Sequence, residues 1–255
     1  MELTCDLSLV GGYSSPLQIS RILSESWFRK NAFCLACECD ELEPTTRNTK
    51  ACDFTCRSCE EPYELKSFRQ RPTKKIVDGA YSALISRIRE NRTPTLMLLE
   101  RSENWNILGL TAVHPLFLTP QAIEKRNPLS PAARRAGWVG CNIRLDLMGR
   151  DALIDVIRAG VPSDRALVRG NFRKLNGLKE IPVGQRGWTT LTLAIIRRLG
   201  TQQFSLRDLY EREHIFGATY PRNRNIRPKI RQQLQVLRDL KYLEFSGNGA
   251  YKLVL

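Results

Sequence analysis

Apolar positions along the chain follow two rhythms. Helical spacing runs from Leu17 to Phe28, with Ile19, Ile22, Leu23 and Trp27 on one face. It returns after Asp78-Gly79, which opens a second predicted helix to about Glu90, with Tyr81, Leu84, Ile85 and Ile88 at i, i+3, i+4 and i+7. Between these helices, Ala51 to Thr55 and Pro62 to Ser67 read as short strands joined by the Cys56–Cys59 turn. Thr95 to Leu99 and Ile107 to Val113 are apolar runs of strand length, expected at the centre of a sheet. Pro115 to Arg135 is broken by prolines and reads as loop.

Pro182 and two glycines gather near Val183 to Gly187, which places a domain boundary there. The first domain, residues 1–184, is then a mixed α/β unit. The second, 185–255, shows helices over Trp188 to Leu199, Ser205 to about Glu213 and about Ile226 to Leu240. Strands at Tyr242 to Phe245 and Ala250 to Val254 complete it. Ser205 and Asp208 form a capping-box pattern, and Ser246-Gly-Asn-Gly249 is a tight-turn sequence. Three helices followed by a hairpin is the order of a winged helix, an α+β fold.

Charge narrows the partners. The chain holds 40 Lys and Arg against 26 Asp and Glu, a balance of +14 over 255 residues. Residues 185–255 carry +8 of that excess in 71 residues, so the second domain is the denser electrostatic surface. A polyanion is the expected partner. No apolar run is long enough to span a bilayer, and the N-terminus lacks a basic start and apolar signal core. A cytoplasmic, bacterial-type intracellular protein with no membrane partner is therefore expected. No phosphate-binding Gly-rich loop is present, so ATP use is not expected. With only His114 and His214, no nucleophile–histidine pair suggests itself.

Two sets of residues carry chemistry. Cys34-x-x-Cys37 and Cys56-x-x-Cys59 are two thiolate pairs at the spacing of a closed tetrahedral site, pointing to structural Zn²⁺. Cys39 and Cys52 are the nearest substitutes. Interleaved with them stand Asp53, Glu64 and Lys66. Two carboxylates supply hard oxygen ligands for a catalytic Mg²⁺. Lys66, two residues beyond Glu64 on a strand, shares its face and can orient water or offset developing charge.

Asp53, Glu64 and Lys66 are similar to the PD-(D/E)xK nuclease site, and the chain resembles the DpnI-type methyl-directed restriction endonucleases. Met1-Glu-Leu3, the paired cysteines with Glu64-Leu-Lys-Ser67, and Asp78-Gly-Ala-Tyr81 carry the likeness. So do Pro128-Leu-Ser-Pro-Ala-Ala-Arg-Arg-Ala-Gly-Trp-Val-Gly-Cys-Asn-Ile143, Arg186-Gly-Trp188 and Lys229 to Asp239. Cys52 stands where the superfamily's name has proline. The resemblance implies a restriction-endonuclease-like α/β domain with a zinc knuckle, followed by a winged helix. It implies Mg²⁺-dependent cleavage of adenine-methylated double-stranded DNA at GATC. The rival readings are a non-catalytic methylated-DNA-binding regulator and a repair or junction nuclease on the same core. A monomer in solution is expected.

On that reading Arg134 and Arg135 suit phosphate or guanine, and Trp138 offers an apolar wall to an adenine methyl. In the winged helix, Ile226, Ile230, Leu234, Leu237 and Leu240 form the buried stripe. Arg224, Asn225, Arg227, Lys229, Gln232 and Gln233 are left as candidate DNA contacts.

Overall fold

A computed structural model describes residues 1–46 and 52–254. Pro16 opens helix α1 (Pro16–Asn31) at a position where its missing N–H is harmless. Leu23, Trp27 and Phe28 enter the core, while Ile19 and Ile22 stay half-buried. Strands β1 (Leu42–Pro44), β2 (Phe54–Cys56) and β3 (Pro62–Phe68) then form an antiparallel meander. The expected start of its second strand, Ala51, lies outside the described residues.

Next come β4 (Lys75–Ala80), α2 (Tyr81–Arg89), β5 (Thr95–Arg101) and β6 (Ile107–Val113). The chain continues through β7 (Ile123–Lys125), β8 (Gly140–Arg144), β9 (Leu153–Arg158), β10 (Val161–Pro162) and α3 (Arg165–Lys174). A large sheet runs in the order β1-β2-β3-β5-β6-β9-β10. Its β3–β5 pair is parallel, which requires a crossover; β4 and α2 supply it. Strand β5 is buried from Thr95 to Leu99, as its unbroken apolar run predicts for a central strand. A smaller antiparallel sheet, β4-β8-β7, packs beside it.

Two expectations fail in this region. Asp78 and Gly79 end a strand instead of opening a helix, because Ile76 and Asp78 both face inward from β4. Helix α2 begins at Tyr81 with no side-chain cap. The stretch from Pro115 to Arg135 is also more than loop. It holds two 3₁₀ turns, and β7 extends the small sheet.

The C-terminal part comprises α4 (Val183–Arg198), β11 (Gln203–Ser205), α5 (Leu206–Tyr210), α6 (Glu213–Thr219), α7 (Ile226–Asp239), β12 (Leu243–Gly247) and β13 (Ala250–Leu253). Its three strands pair in the order β11-β13-β12. The segment Val183–Gly187 forms the start of α4. Arg186 is buried there, donating to the Ile181 carbonyl at 3.1 Å and to Asn91 Oδ1 at 3.2 Å. Gly187 allows close approach, since a Cβ there would stand 2.4 Å from Gln121 Oε1. Trp188 stacks on Tyr220 with ring centroids 3.9 Å apart. These contacts explain why Arg, Gly and Trp adjoin.

The capping box forms as its sequence predicts: Asp208 N–H donates to Ser205 Oγ, and Ser205 N–H donates to the Asp208 carboxylate. Asn248 and Gly249 both take positive φ between β12 and β13, the requirement of a two-residue hairpin turn. On α7, Ile230, Leu234 and Leu237 are fully buried, each contributing about 1.5–3 kcal/mol.

Candidate active site and metal centre

The β2–β3 hairpin builds both sites. Its tip carries Cys56 and Cys59, facing Cys34 and Cys37 from the segment after α1. The four Sγ atoms lie within 4.8 Å of one another, the only such cluster of potential metal ligands among the described residues. Cys34 and Cys59 are 3.5 Å apart, and Cys37 and Cys56 are 3.6 Å apart. A disulfide needs about 2.05 Å. Four sulfurs at about 2.3 Å from a tetrahedral ion stand roughly 3.8 Å from one another, so the spacing fits a metal. Hydrogen bonds support the sulfurs: Tyr63 Oη to Cys34 Sγ at 3.2 Å, and Ser58 N–H to Cys56 Sγ at 3.4 Å. Cys52 instead hydrogen-bonds the Phe54 carbonyl, and Cys39 that of Glu41.

Arg169 on α3 clamps this cluster. It is 6% exposed, and its guanidinium donates to the Cys34 and Cys39 carbonyls and to the Glu38 and Asp40 carboxylates. Sequence reasoning missed it, because nothing local marks an arginine whose partners lie about 130 residues away.

At the other end of the hairpin lie the acidic residues. Phe54 pairs with Tyr63 and Thr55 with Pro62, and Asp53 stands just before this ladder, beside the start of β3. Asp53 N–H donates to the Tyr63 carbonyl at 2.8 Å, and Leu65 N–H donates to Asp53 Oδ2 at 2.8 Å. The Asp53 carboxylate is therefore fixed by backbone. It lines a cleft of about 490 Å³ with Arg21, Glu25 and Arg29 of α1. Burial, aided by the Asp53 charge, raises the Glu25 pKa against the pull of Arg21. Neither the helix arginines nor Glu25 was anticipated from sequence.

Glu64 and Lys66 share a face of β3, as strand alternation requires. Lys66 Nζ is 2.7 Å from Glu64 Oε1. It is also 2.6 Å from Asp78 Oδ1, a carboxylate absent from the sequence-derived site. The Glu64 and Asp78 side chains are nearly inaccessible. Burial raises the Glu64 pKa to about 7, with the Asp78 charge adding to it and Lys66 opposing it. Desolvation also works on Asp78, yet Lys66 holds it below the usual carboxylate range. Two carboxylates thus face one ammonium, and Asp53 adds a third acid at the strand edge. Among the described residues these acids do not form a ligand cluster like that of the cysteines.

This raised pKa predicts a pH effect in metal-free protein. Glu64 favours the folded state when protonated, so its contribution is complete below about 4.5 and lost as pH rises through about 7. The loss is on the order of 3 kcal/mol. Urea melts across that window should show the slope, and Glu64→Gln should flatten it.

His114 is buried: its pKa is lowered to about 3, its Nδ1 accepts from Leu116 N–H, and it packs on Phe172. The other candidate residues lie apart from the acids in sequence. The segment between β7 and β8 closes on itself through Leu129 N–H to the Trp138 carbonyl and Gly137 N–H to the Leu129 carbonyl. Arg134 and Arg135 are exposed on it. The Arg135 guanidinium lies 4.5 Å from the Trp138 ring centroid. Trp138 is half-buried over Gly140, where a Cβ would stand 2.9 Å from the indole. The base of this segment adjoins the acid pair, because Asp78 pairs with Cys141 and Ala80 with Gly140.

In the C-terminal part, Arg224, Asn225, Arg227 and Gln232 are exposed around the start of α7, and Lys229 is half-buried. Arg227 pairs with Glu213 at 2.8 Å, and Lys229 donates to Gln232. Gln233 is not on this surface. It is 1% exposed, and its Oε1 accepts from Thr189 Oγ1 at 2.7 Å. A partner on α4 makes that burial possible, so Gln233 is a packing residue.

A mixed α/β unit with a four-cysteine centre, followed by a winged helix, defines the class of molecule. Residues 1–181 match the family model of DpnI, described as the Dam-replacing family, and residues 184–253 match its C-terminal partner, the Dam-replacing HTH domain. The chain belongs to the DpnI family. Membership suggests a restriction endonuclease, and the HTH domain implies DNA binding. No helix among the described residues is long and apolar enough to cross a membrane.

Proposed function

We propose that this protein is a methyl-directed restriction endonuclease that hydrolyses adenine-methylated double-stranded DNA at GATC with Mg²⁺. The observation that carries the reading is the buried Glu64–Lys66 pair, with the Asp53 carboxylate held by the Leu65 N–H between them. Asp53 and Glu64 would hold the ion, and the four cysteines would hold zinc. Bound there, Mg²⁺ supplies Lewis-acid polarisation of the phosphate. Lys66 orients the attacking water and offsets charge on the pentavalent transition state. Arg21 and Arg29 flank the Asp53 cleft and suit the adjacent phosphates. Domain limits of 1–184 and 185–255 go with this reading, the second unit docking α7 on DNA. Arg224, Asn225, Arg227, Lys229 and Gln232 are its contacts, and the protein acts in the cytoplasm without ATP, as a monomer before it meets DNA.

Digestion of methylated and unmethylated plasmid, with and without Mg²⁺, tests the proposal. Cutting only the methylated plasmid, only with Mg²⁺, is the expected result. Binding without cutting identifies a regulator, and a preference for branched DNA identifies a junction nuclease. Trp138 offers its indole to the methyl group, with Arg135 stacked on it. Trp138→Ala should reduce the preference for methylated over unmethylated duplex by about 10-fold, the scale of one methyl in an apolar pocket. Paired cleavage rates on the two duplexes measure it.

A further inference from the structure

We propose that Asp78 is the positioning residue for Lys66, a fixed anion that keeps the ammonium in place when Glu64 is engaged by a cation. The inference rests on the nuclease reading above. Glu64 and Lys66 stand two residues apart on β3 and satisfy each other at 2.7 Å. A second carboxylate is not needed to neutralise that lysine. It adds like charge beside Glu64, in a place where an unpaired buried charge is costly. Yet Asp78 occupies an inward position of β4 that would otherwise take an apolar residue like Ile76. Its Oδ1 meets Lys66 Nζ at 2.6 Å as an ion pair, without the angle of a good hydrogen bond.

The placement suits a counter-ion carried on a different element from the proposed metal ligands, although its carboxyl also meets that of Glu64. Asp53 and Glu64 belong to the β2–β3 hairpin, whereas Asp78 comes from the other sheet. With Glu64 taken by a cation, Asp78 is the carboxylate left at ion-pair distance from Lys66 among the described residues. The strand beside Asp78 leads directly to the Arg134–Trp138 segment, through Cys141, Gly140 and the Tyr81 N–H bond to the Val139 carbonyl. The ammonium and that segment are thus set by one pair of strands.

Asp78→Asn, compared with Lys66→Ala and the natural protein, tests this. The expected single-turnover cleavage rate of Asp78→Asn falls about 100-fold, the scale of a misplaced catalytic group, with DNA affinity unchanged. Its metal-free melting temperature is not lowered, because Lys66 keeps Glu64. In Mg²⁺, Lys66 of Asp78→Asn reacts faster with an amine-acylating reagent, read by mass spectrometry. A variant that fails to fold, or melts lower, overturns the proposal by showing a structural role. So does full cleavage by Asp78→Asn while Lys66→Ala is inactive, which leaves the nuclease reading standing. Normal cleavage by Lys66→Ala refutes the nuclease reading itself.

Discussion

Lys66→Met should lower cleavage of methylated duplex by on the order of 10³-fold while DNA affinity stays the same. The change removes the cation that pairs with Glu64 and Asp78, and it keeps most of the side-chain volume. Loss of a single group that stabilises transition-state charge costs about 10² to 10³ in rate, and loss of water orientation adds to that. Affinity should hold because Lys66 is largely buried, whereas Arg134, Arg135 and the arginines around α7 are exposed. The same change has a structural cost that separates it from a silent surface substitution. Two buried carboxylates are left without their cation, so Glu64 takes up a proton more readily still. Melting should therefore be nearer normal at pH 5 than at pH 8. Cleavage by Lys66→Met within a few-fold of the natural rate would remove Lys66 from the chemistry.

The features legible in the sequence are those fixed by short-range chemistry. The Cys-x-x-Cys pairs announce their cluster because each pair must turn tightly around one ion. The Ser205 capping box, the Asn248-Gly249 turn, the apolar runs of β5 and β6 and the α7 stripe are equally local. What escaped depends on partners distant in sequence. Asp78 before a glycine reads as a helix start; only the packing of β4 against β3 reveals the lysine it faces. Gln233 follows a pattern of exposed polar residues on α7, and only Thr189 of α4 makes its burial possible. Strand β7 hides in a proline-rich stretch because its partner, β8, follows a long excursion. Arg169 shows the same limit at the cysteine cluster. The candidate catalytic residues were readable for a different reason: Glu64 and Lys66 stand two apart on one strand, so their shared face follows from alternation alone.

Removing the metal from the four-cysteine cluster should disable cleavage without touching an acidic residue. Metal analysis is expected to find about one zinc per chain. Extraction with phenanthroline, which leaves Mg²⁺ in solution, should lower the melting temperature by on the order of 10 °C. The reason lies in the hairpin. Cys56 and Cys59 tip the same β2–β3 unit whose Tyr63 and Leu65 hold Asp53, so slack at one end reaches the other. The segment from Cys34 to Asp40 is tied to α3 through Arg169, with Arg165 and Arg173 pairing Asp40 and Glu38 at its exposed end. If it loosens, a buried guanidinium loses its partners, a cost of several kcal/mol that spreads the damage to α3. Cys59→Ser should reproduce the effect, since a hydroxyl is a poor zinc ligand, and added zinc should not restore it. Cys39→Ser should have little effect, because its sulfur hydrogen-bonds Glu41 outside the cluster. The decisive comparison is zinc-stripped protein assayed in excess Mg²⁺. Unchanged melting and full cleavage there would mean that the thiols do not hold the hairpin, and that the acids find each other without them.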